Sequence, residues 1–473
     1  MKKTMKKGLA ILLTSAMLFS SMPVSAFAEN EMPNNILTSN ANVVDSAAID
    51  NSLFYATRTD FRDESVYTLM ITRFNDGDSS NNVHCWDDGQ AGNPDSDPAW
   101  RGDFKGLVEK LDYIKALGFT AIRLNPVVQN ASGYDYHGYH PVNLKEIDFR
   151  YESDGYTYED LIDACHARGM KVMQDVVLNH TSNFGEEFLR KTFEVNEDSN
   201  WSDMNAALTP TQTLLDVYPD YLSLNPGEQF QARMDLLKAV NTETLNADER
   251  YHREKNMGYE SYLEQQGTIA GDCIDINTEN PVVAQYLAET CKWYAEMGVD
   301  AIMIVEAKHI NRWTFNQGIL PLLQEQLRAE NLELEIFYEV VSRTRETWNH
   351  NIPSLSVPFY SWAETEESWI GNWNHEDLTA NIQTSINHYN AHLDPSKEPT
   401  SNNAFLDGIS YHTPDYSDSS DMHAYDFTMM WNFENVNNAY RAGMAGDRYM
   451  NDATWNLTGV ETWDHGPDGI EKT

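Results

Sequence analysis

"KVMQDVVLNH", Lys171 to His180, is the stretch that decides the fold of this chain. Its first part has the length and apolar content of a buried strand, and Asp175, Asn179 and His180 stand at its end and just beyond. The stretch before it, 157–169, begins with a helix-capping threonine and ends on a glycine. A helix followed by a buried strand with polar residues at its end is typical of a parallel α/β protein.

The same alternation of short apolar runs with longer amphipathic runs extends in both directions from this stretch. It predicts strands at 65–72, 120–127, 171–177, 301–305, 333–340, 426–433 and 454–460, and helices at 104–118, 157–169, 281–298, 314–329 and 435–444. Such alternation favours parallel strands joined by helical crossovers. Because a closed barrel of this type has eight strands, we expect a barrel that lacks the last strand and helix.

The chain divides into five segments by composition. Residues 1–28 combine early lysines, an apolar run and small residues, which predicts an export signal and hence a secreted, extracellular protein. Residues 29–60 are polar and predict a flexible leader. We expect residues 61–180 to form the first part of the barrel, residues 181–275 an inserted lobe after the third strand, and residues 276–473 the rest of the barrel.

The overall charge narrows the possible partners. The chain has 73 acidic against 33 basic residues, for a formal net charge of −40. Such a surface repels phosphate backbones and anionic lipids, so we expect neither nucleic acid nor a membrane as partner. The 12 Trp and 24 Tyr offer flat faces that suit stacking on sugar rings, although most such residues pack in cores. We expect a monomer.

Polar residues follow several of the predicted strands at the same end. Glu339 ends the fifth strand, Glu461 and Asp464 follow the seventh, and "YHGYH" (136–140) follows the second. Each of these alone is compatible with a solvated loop. Because the carboxyl ends of barrel strands meet at one face, the set together predicts an active site there.

These motifs give the chain a family resemblance. From about Ser65 to its end the chain resembles the alpha-amylase family of glycoside hydrolases: "DVVLNH", "GVDAIMIVEAKH", "IFYEVV" and "GVETWD" are similar to its four conserved blocks, in the same order. The resemblance implies a (β/α)8 barrel that acts on α-1,4-linked glucans such as starch and maltodextrin. It also implies a retaining mechanism that uses one carboxylate as nucleophile and another as acid and base.

The resemblance assigns expected roles to individual residues. It implies catalytic roles for Glu339, as acid and base, and for Asp464, as a third carboxylate. The residues expected to bind sugar are His137, Tyr139, His180, Lys308 and His309. Calcium is the expected cofactor, with one site at Asn179, Asp275 and the His309 carbonyl oxygen and another at Asp76, Asp78, Asn81, Asn82 and Asp103. The alternative for the second set is a turn rich in Asp and Asn without a metal.

The chain departs from the family pattern where the pattern carries its chemistry. Val305 stands at the nucleophile position and Met303 at the position of the arginine that accompanies it. Residues two apart on a strand share a face, so both inward groups are apolar. Tyr338 stands where the family has glycine before its acid, and we expect it to crowd Glu339. We expect Glu306 to point towards the surrounding helices unless the strand has ended there.

These departures lead to one leading hypothesis and two alternatives. The leading hypothesis is a secreted alpha-amylase-like glycoside hydrolase scaffold with negligible turnover, because valine cannot attack a sugar carbon. A second hypothesis is a glucan-binding protein without catalysis. A third is a truncated or degenerate product, suggested by the missing eighth strand, since an open barrel leaves an unpaired strand edge.

Overall fold

The computed structural model describes residues 61–86, 100–131, 137–238, 249–252, 257–258, 262–341, 357–393, 419–427, 436–437 and 456–459. The predicted export signal and leader lie outside these residues. So do Glu461, Trp463 and Asp464 of the fourth conserved block. The predicted boundaries of the five segments stay predictions.

A sheet of seven parallel strands organises the described part of the chain. In chain order and in spatial order these are β1 (Val66–Leu69), β2 (Ala121–Leu124), β3 (Lys171–Val176), β4 (Ala301–Ile304), β5 (Glu335–Glu339), β6 (Met422–Asp426) and β7 (Asn456–Thr458). Sequential parallel neighbours with helical connections are the arrangement of a (β/α)8-type barrel, and the predicted fold is confirmed. Within the described residues no hydrogen-bonded ladder joins β7 to β1.

Helices connect the first six strands, and the first four of these helices lie where the alternation predicts them. The fifth was not predicted, and the predicted helix at 435–444 lies mostly outside the described residues. The connecting helices are α1 (Phe104–Ala116), α2 (Tyr158–His166), α3 (Pro281–Glu296), α4 (Leu320–Glu330) and α5 (Leu378–Ala391). Thr157 and Asp160 form a capping box before α2, and Pro281 occupies the first turn of α3. A short helix (Arg312–Thr314) and a π-helical turn (Phe315–Ile319) precede α4. No helix within the described ranges is both long and apolar enough to span a membrane.

The sixth strand lies earlier in the chain than predicted. The sequence predicts a strand at 426–433, whereas β6 runs from Met422 to Asp426. Its first residue pairs with Ile336 and its Tyr425 pairs with Glu339. The prediction of where this strand begins was wrong, because the apolar run after Asp426 gives a stronger signal than the alternating residues before it.

The inserted lobe lies between β3 and α3. It begins and ends at one antiparallel ladder, in which His180 pairs with Asp275 and Thr181 with Ile274. Between these strands lie a second ladder (Phe193–Val195 with Leu208–Pro210), a two-residue strand (Gly185–Glu186) and the helices Glu187–Arg190, Met204–Ala207, Gln212–Val217, Pro226–Leu237 and Tyr262–Gln265. This arrangement places the start and the end of the lobe at the carboxyl end of β3.

Two apolar clusters lie on the two faces of the sheet. Ile302 and Ile304 of β4 belong to the larger cluster, which contains residues of the helices. Alternate residues belong to a smaller inner cluster, whose buried members are Phe61, Ala121, Met173, Val177, Ala301, Met303, Val305, Phe337, Tyr425 and Phe427. Since successive strand residues face opposite sides, the inner cluster is the interior of the barrel.

Candidate active site

Three residues predicted to bind sugar meet at the carboxyl end of β3. The Tyr139 hydroxyl donates to Asp175 Oδ2 at 2.8 Å, and the Tyr139 carbonyl oxygen lies 3.0 Å from His180 Nε2. The backbone N–H of Tyr139 donates to His137 Nδ1 at 3.0 Å. The structure therefore brings His137, Tyr139 and His180 together beside the carboxylate of Asp175, to which the sequence assigned no sugar-binding role.

Gly138 fixes the shape of the loop that carries two of these residues. Its φ is +79°, and a Cβ atom at this position would lie 1.9 Å from the carbonyl oxygen of Pro126. Glycine combines a positive φ with such a close backbone approach without steric cost. The turn at Gly138 therefore sets the positions of His137 and Tyr139.

The histidines of this group are neutral near pH 7. Burial, followed by the neighbouring His140, lowers the pKa of His137 to about 3. Burial and His140 likewise lower the pKa of His180 to about 4. A neutral imidazole has one donor and one acceptor nitrogen, which suits hydrogen bonds with sugar hydroxyls.

A buried arginine completes the polar group inside the barrel. Arg123 of β2 forms a two-point contact with Asp175, with Nε 2.7 Å from Oδ1 and Nη2 3.0 Å from Oδ2. The same Nη2 lies 3.5 Å from Glu339 Oε2. The side chains are 3% exposed for Arg123, 0% for Asp175 and 14% for Glu339. Burial opposes the charged guanidinium, but the attraction of Asp175 outweighs it and raises the pKa of Arg123.

Sequence reasoning missed Arg123. The available signal was a charged residue inside the strand "AIRL", between Ile122 and Leu124, both of which lie in the larger apolar cluster. Strand periodicity turns Arg123 away from that cluster and into the barrel. Its partner Asp175 lies on the next strand, so the pair becomes visible only once the sheet register is known.

At the end of β4, the positions where the family resemblance expects an arginine and a nucleophile hold apolar residues in apolar surroundings. Met303 is 0% exposed and Val305 is 3% exposed, and both belong to the inner cluster with Phe337. Met303 pairs in register with Asp175 of β3. The side chain at the nucleophile position therefore packs against hydrocarbon and offers no oxygen to a substrate.

Glu306 does not point towards the helices, because the strand has ended before it, which is the exception that the expectation allowed. β4 ends at Ile304, and Glu306 has a left-handed backbone with φ of 53°. Its Oε2 lies 3.3 Å from Lys308 Nζ and 3.3 Å from His309 Nε2, and its side chain is 28% exposed. Burial opposes ionisation of Glu306, but the charge of Lys308 and the hydrogen bond with His309 outweigh it and hold its pKa well below the usual range.

The two remaining predicted sugar ligands have different surroundings. The Lys308 side chain is 12% exposed, whereas the His309 side chain is fully buried at 0%. His309 Nδ1 lies 3.2 Å from the Gln265 carbonyl oxygen of the lobe. His309 therefore contacts the lobe and Glu306, while Lys308 is the more accessible of the two.

Tyr338 does not crowd Glu339. Its ring belongs to the larger apolar cluster, on the opposite face of β5 from Phe337 of the inner cluster. Its hydroxyl lies 2.7 Å from Ser361 Oγ. The expectation of crowding was wrong because adjacent strand residues point to opposite faces.

The predicted calcium ligands between barrel and lobe lie together but have protein partners. Asn179 Nδ2 donates to Asp275 Oδ1 at 2.8 Å, and the His309 carbonyl oxygen accepts from Gln266 Nε2 at 3.5 Å. His252, which the sequence did not single out, lies with Nδ1 2.5 Å from Asp275 Oδ2.

His252 competes with a cation at this place. Its Nε2 lies 2.9 Å from Glu279 Oε2, so both ring nitrogens face carboxylates. Burial opposes a charged ring, but the attraction of Glu279 and Asp275 outweighs it and raises the pKa of His252 to about 10. The donor types fit calcium, yet an ion would have to displace His252 from Asp275. This calcium site stays a prediction.

In the loop after β1 the five predicted calcium ligands form two hydrogen-bonded sets, Asp103 with Asp78 and Asn81, and Asp76 with Asn82. Asp103 is the N-cap of α1, where Oδ1 accepts from the Gly106 N–H at 2.6 Å and Oδ2 accepts from the Asp78 N–H at 2.8 Å. Asn82 Nδ2 donates to Asp76 Oδ2 at 2.8 Å. These contacts hold the loop against the start of α1.

The oxygens of this loop fit a calcium ion. The amide oxygens Asn81 Oδ1 and Asn82 Oδ1 are buried and have no hydrogen-bond partner among the residues that the structure describes. Buried carbonyl-type oxygens without a donor, beside the carboxylates of Asp76 and Asp78, are the hard ligands that calcium prefers. Asp103 fits less well, because backbone N–H groups already occupy both of its oxygens.

Sequence comparisons give the chain a set of relatives. Residues 68–317 match the family described as alpha amylase, catalytic domain. The beta/alpha-amylase of Paenibacillus polymyxa is 30% identical over 256 residues, which cover 53% of this chain and 17% of that protein. The cyclomaltodextrin glucanotransferase of Klebsiella oxytoca is 27% identical over 275 residues, which cover 54% of this chain and 35% of that protein. The chain thus spans at most about a third of the length of these two relatives.

Solved structures show a similar partial likeness. The crystal structure of an Anoxybacillus alpha-amylase is similar over 60% of this chain and 48% of that chain, with 24% identity and a TM-score of 0.40. The crystal structure of gamma-CGTase from alkalophilic Bacillus clarkii is similar over 70% of this chain and 44% of that chain, with 18% identity and a TM-score of 0.43.

Proposed function

The chain belongs to the alpha-amylase family of glycoside hydrolases, and from that premise we propose that it binds an α-1,4-linked glucan such as maltodextrin and hydrolyses it negligibly. The observation that carries this proposal is the placement of Val305 and Met303 in the buried inner cluster. The names of the two relatives refer to amylase and to cyclomaltodextrin, which supports an α-glucan as the ligand class.

The polar group beside β3 supplies the means of binding. Neutral His137 and His180 present donor and acceptor nitrogens, and the Tyr139 ring offers a flat face for a sugar. Tyr139 is fixed by its hydrogen bond to Asp175, so little side-chain entropy remains to be lost when a sugar binds. Lys308, the more accessible residue after β4, adds a donor at the neighbouring position.

The same arrangement explains why turnover is expected to be negligible. A retaining glycosidase needs two carboxyl groups about 5 Å apart, one of which bonds to the sugar carbon. Glu339 supplies one carboxyl group, but Val305 supplies hydrocarbon where the family resemblance expects the other. Loss of a covalent nucleophile costs several powers of ten in rate.

Hydrolysis through Glu306 is a second candidate function. Glu306 follows the end of β4, and Lys308 and His309 hold it in the ionised form. Its side chain is 28% exposed, against 3% for Val305. This candidate requires Glu306 to act as a displaced nucleophile.

One set of measurements separates these candidates. The purified chain is titrated with maltoheptaose by calorimetry, and release of reducing ends is followed in parallel. We expect binding without release of reducing ends, and measurable hydrolysis after Met303→Arg, Val305→Asp and Trp463→His are introduced together. Trp463 stands where the family resemblance expects histidine before Asp464. Hydrolysis by the unmodified chain that Glu306→Gln abolishes would establish the second candidate instead. A chain that binds no maltoheptaose would refute the proposal.

Calcium and secretion belong to the same proposal. We propose a calcium ion in the loop after β1, supported by the buried amide oxygens of Asn81 and Asn82. Export rests on the predicted signal at 1–28, and N-terminal sequencing of protein recovered from the culture medium tests it. A chain retained in the cells with its first residues intact would contradict export.

A further inference from the structure

The interior of the barrel holds the carboxylates of Asp175 and Glu339. Asp175 is 0% exposed and Glu339 is 14% exposed, both next to the apolar inner cluster. Buried carboxylates need a cation or strong hydrogen bonds, since removal of a charge from water is costly. At Met303, where the family resemblance expects an arginine, the chain offers no charge.

Arg123 of β2 provides a cation from a different strand. Its Nε and Nη2 contact the two oxygens of Asp175 at 2.7 Å and 3.0 Å, and Nη2 lies 3.5 Å from Glu339 Oε2. A planar guanidinium can hold two carboxylates at fixed angles, which a lysine ammonium cannot do in the same way. The ring centroid of Tyr425 lies 5.3 Å from the Arg123 Cζ atom, which confines the guanidinium further.

The register of the sheet shows that positions 123 and 303 can serve the same carboxylate. Met303 pairs directly with Asp175, and Arg123 reaches Asp175 from β2 on the other side of β3. We infer that Arg123 is the positioning residue of this site, holding the Asp175 and Glu339 carboxylates in place of an arginine at position 303. The cation beside Asp175 thus lies on the second strand, and not on the fourth, where the family resemblance expects an arginine.

This role extends to the sugar-binding group. Asp175 Oδ2 is shared between Arg123 Nη2 at 3.0 Å and the Tyr139 hydroxyl at 2.8 Å. Without Arg123, Asp175 would be free to turn, and the Tyr139 ring would lose its fixed orientation. This part of the inference rests on the proposed function, because it concerns the binding of a glucan by Tyr139.

The test relocates the cation. Four chains are compared: the unmodified protein, Arg123→Met, Arg123→Met with Met303→Arg, and Arg123→Lys. Each is measured for maltoheptaose affinity by calorimetry and for its unfolding midpoint in urea. Arg233→Met serves as the matched control, since Arg233 is also buried but bonds to Tyr221 and Asn183 in the lobe.

We expect Arg123→Met to weaken maltoheptaose binding at least about tenfold, the usual effect of losing a hydrogen bond to a charged group. Relocation of the cation to position 303 should restore affinity to within about threefold of the unmodified chain. The control should lower the urea midpoint without this loss of affinity. A folded Arg123→Met chain that binds normally, or a relocated cation that restores nothing, overturns the inference.

Two further measurements apply if the first comparison fails. If Arg123→Met does not fold, Arg123→Lys replaces it, because lysine keeps the charge but cannot contact both carboxylates in the same geometry. Glu339→Gln should then shift the urea midpoint less in the Arg123→Lys chain than in the unmodified chain. Equal shifts in both backgrounds overturn the inference. If the unmodified chain binds no maltoheptaose, the proposed function fails, while recovery of the urea midpoint by Met303→Arg still reports on Arg123.

Discussion

β3 and β4 are neighbours in one sheet, with Asp175 of β3 directly opposite Met303 of β4, but their carboxyl ends differ in chemistry. β3 ends in a group of hydrogen-bonded polar side chains, whereas the inward residues of β4 pack in the inner apolar cluster. Under the proposed function, the difference means that contact with a sugar and attack on it depend on separate strands. The first can then be kept where the second is lost.

The residue on β4 nevertheless affects the charge balance on β3. Met303 offers Asp175 no cation, and Arg123 supplies one from the opposite side of β3. Restoration of the family residues on β4 alone would place a second guanidinium close to the first. The comparison between the strands can be tested by changes on either side.

The largest expected effect comes from a change at the paired position of β3. Asp175→Asn keeps the size of the side chain but leaves Arg123 without its closest carboxylate. Breaking a buried ion pair by removing one partner costs about 3–5 kcal/mol, so we expect a loss of that size in the free energy of unfolding measured in urea.

Met303→Leu is the matched control, because it changes the register partner of Asp175 on β4. A volume-conserving change in an apolar core costs less than about 1.5 kcal/mol. If Asp175→Asn and Met303→Leu lost equal stability, the polar end of β3 would contribute no more to stability than the apolar end of β4.

The next test concerns calcium. It shows whether the polar residues of the loop after β1 bind a metal ion, as the polar residues at the end of β3 are expected to bind a sugar. A ligand present at about 100 times its dissociation constant stabilises the folded state by about 2.7 kcal/mol. We therefore expect a chelator to lower the thermal midpoint, and Asp76→Ala to abolish the response to added calcium. An unmodified chain whose midpoint ignores both chelator and calcium would leave an Asx-rich turn without a metal.

Much of the fold could be predicted because its signals are local. Strand length, apolar content and the capping residues Thr157 and Pro281 lie within a few positions of the elements they define. The start of β6 was missed because strand pairing with β5, and not the most apolar window, decides it. The outward position of Tyr338 follows from strand periodicity, which places it on the opposite face from Glu339.

Site residues could be predicted only where they lie within one short sequence motif. The loop with His137 and Tyr139 and the end of β3 are short motifs, and the structure brings them together. Arg123 depends on sheet register with a distant carboxylate. The left-handed backbone of Glu306 has no sequence signal, since such a conformation is uncommon for residues other than glycine.

The third test uses pH and concerns His137 in the polar group beside β3. The unfolded chain binds a proton at His137 below about pH 6.5, whereas the folded chain does so only near its lowered pKa of about 3. Between these values the unfolded state binds more protons, so stability falls as the pH falls from 6.5 towards 3. At pH 5 we expect this residue to account for about 1–2 kcal/mol of lost stability.

His137→Gln should therefore flatten the dependence of the urea midpoint on pH between 6.5 and 5. His375→Gln provides the control, because His375 is exposed and lies far along the chain in the segment before α5. An identical pH dependence in the unmodified and His137→Gln chains would show that His137 is protonated as readily when folded as when unfolded.

The smallest expected effect lies at the end of β4, where Glu306 turns the chain away from the strand. Its left-handed backbone costs a residue with a side chain about 1–2 kcal/mol, while its partly exposed ion pair with Lys308 returns less than about 1 kcal/mol. Glu306→Gln loses the ion pair and keeps the strain, whereas Glu306→Gly loses both. We expect the glycine variant to unfold at a higher urea concentration than the glutamine variant, with a difference of about 0.5–1 kcal/mol after the greater freedom of unfolded glycine is allowed for. The opposite order would mean that the side chain at position 306 makes uncharged contacts that outweigh the backbone strain, and that β4 ends where it does because of the side chain and not in spite of it.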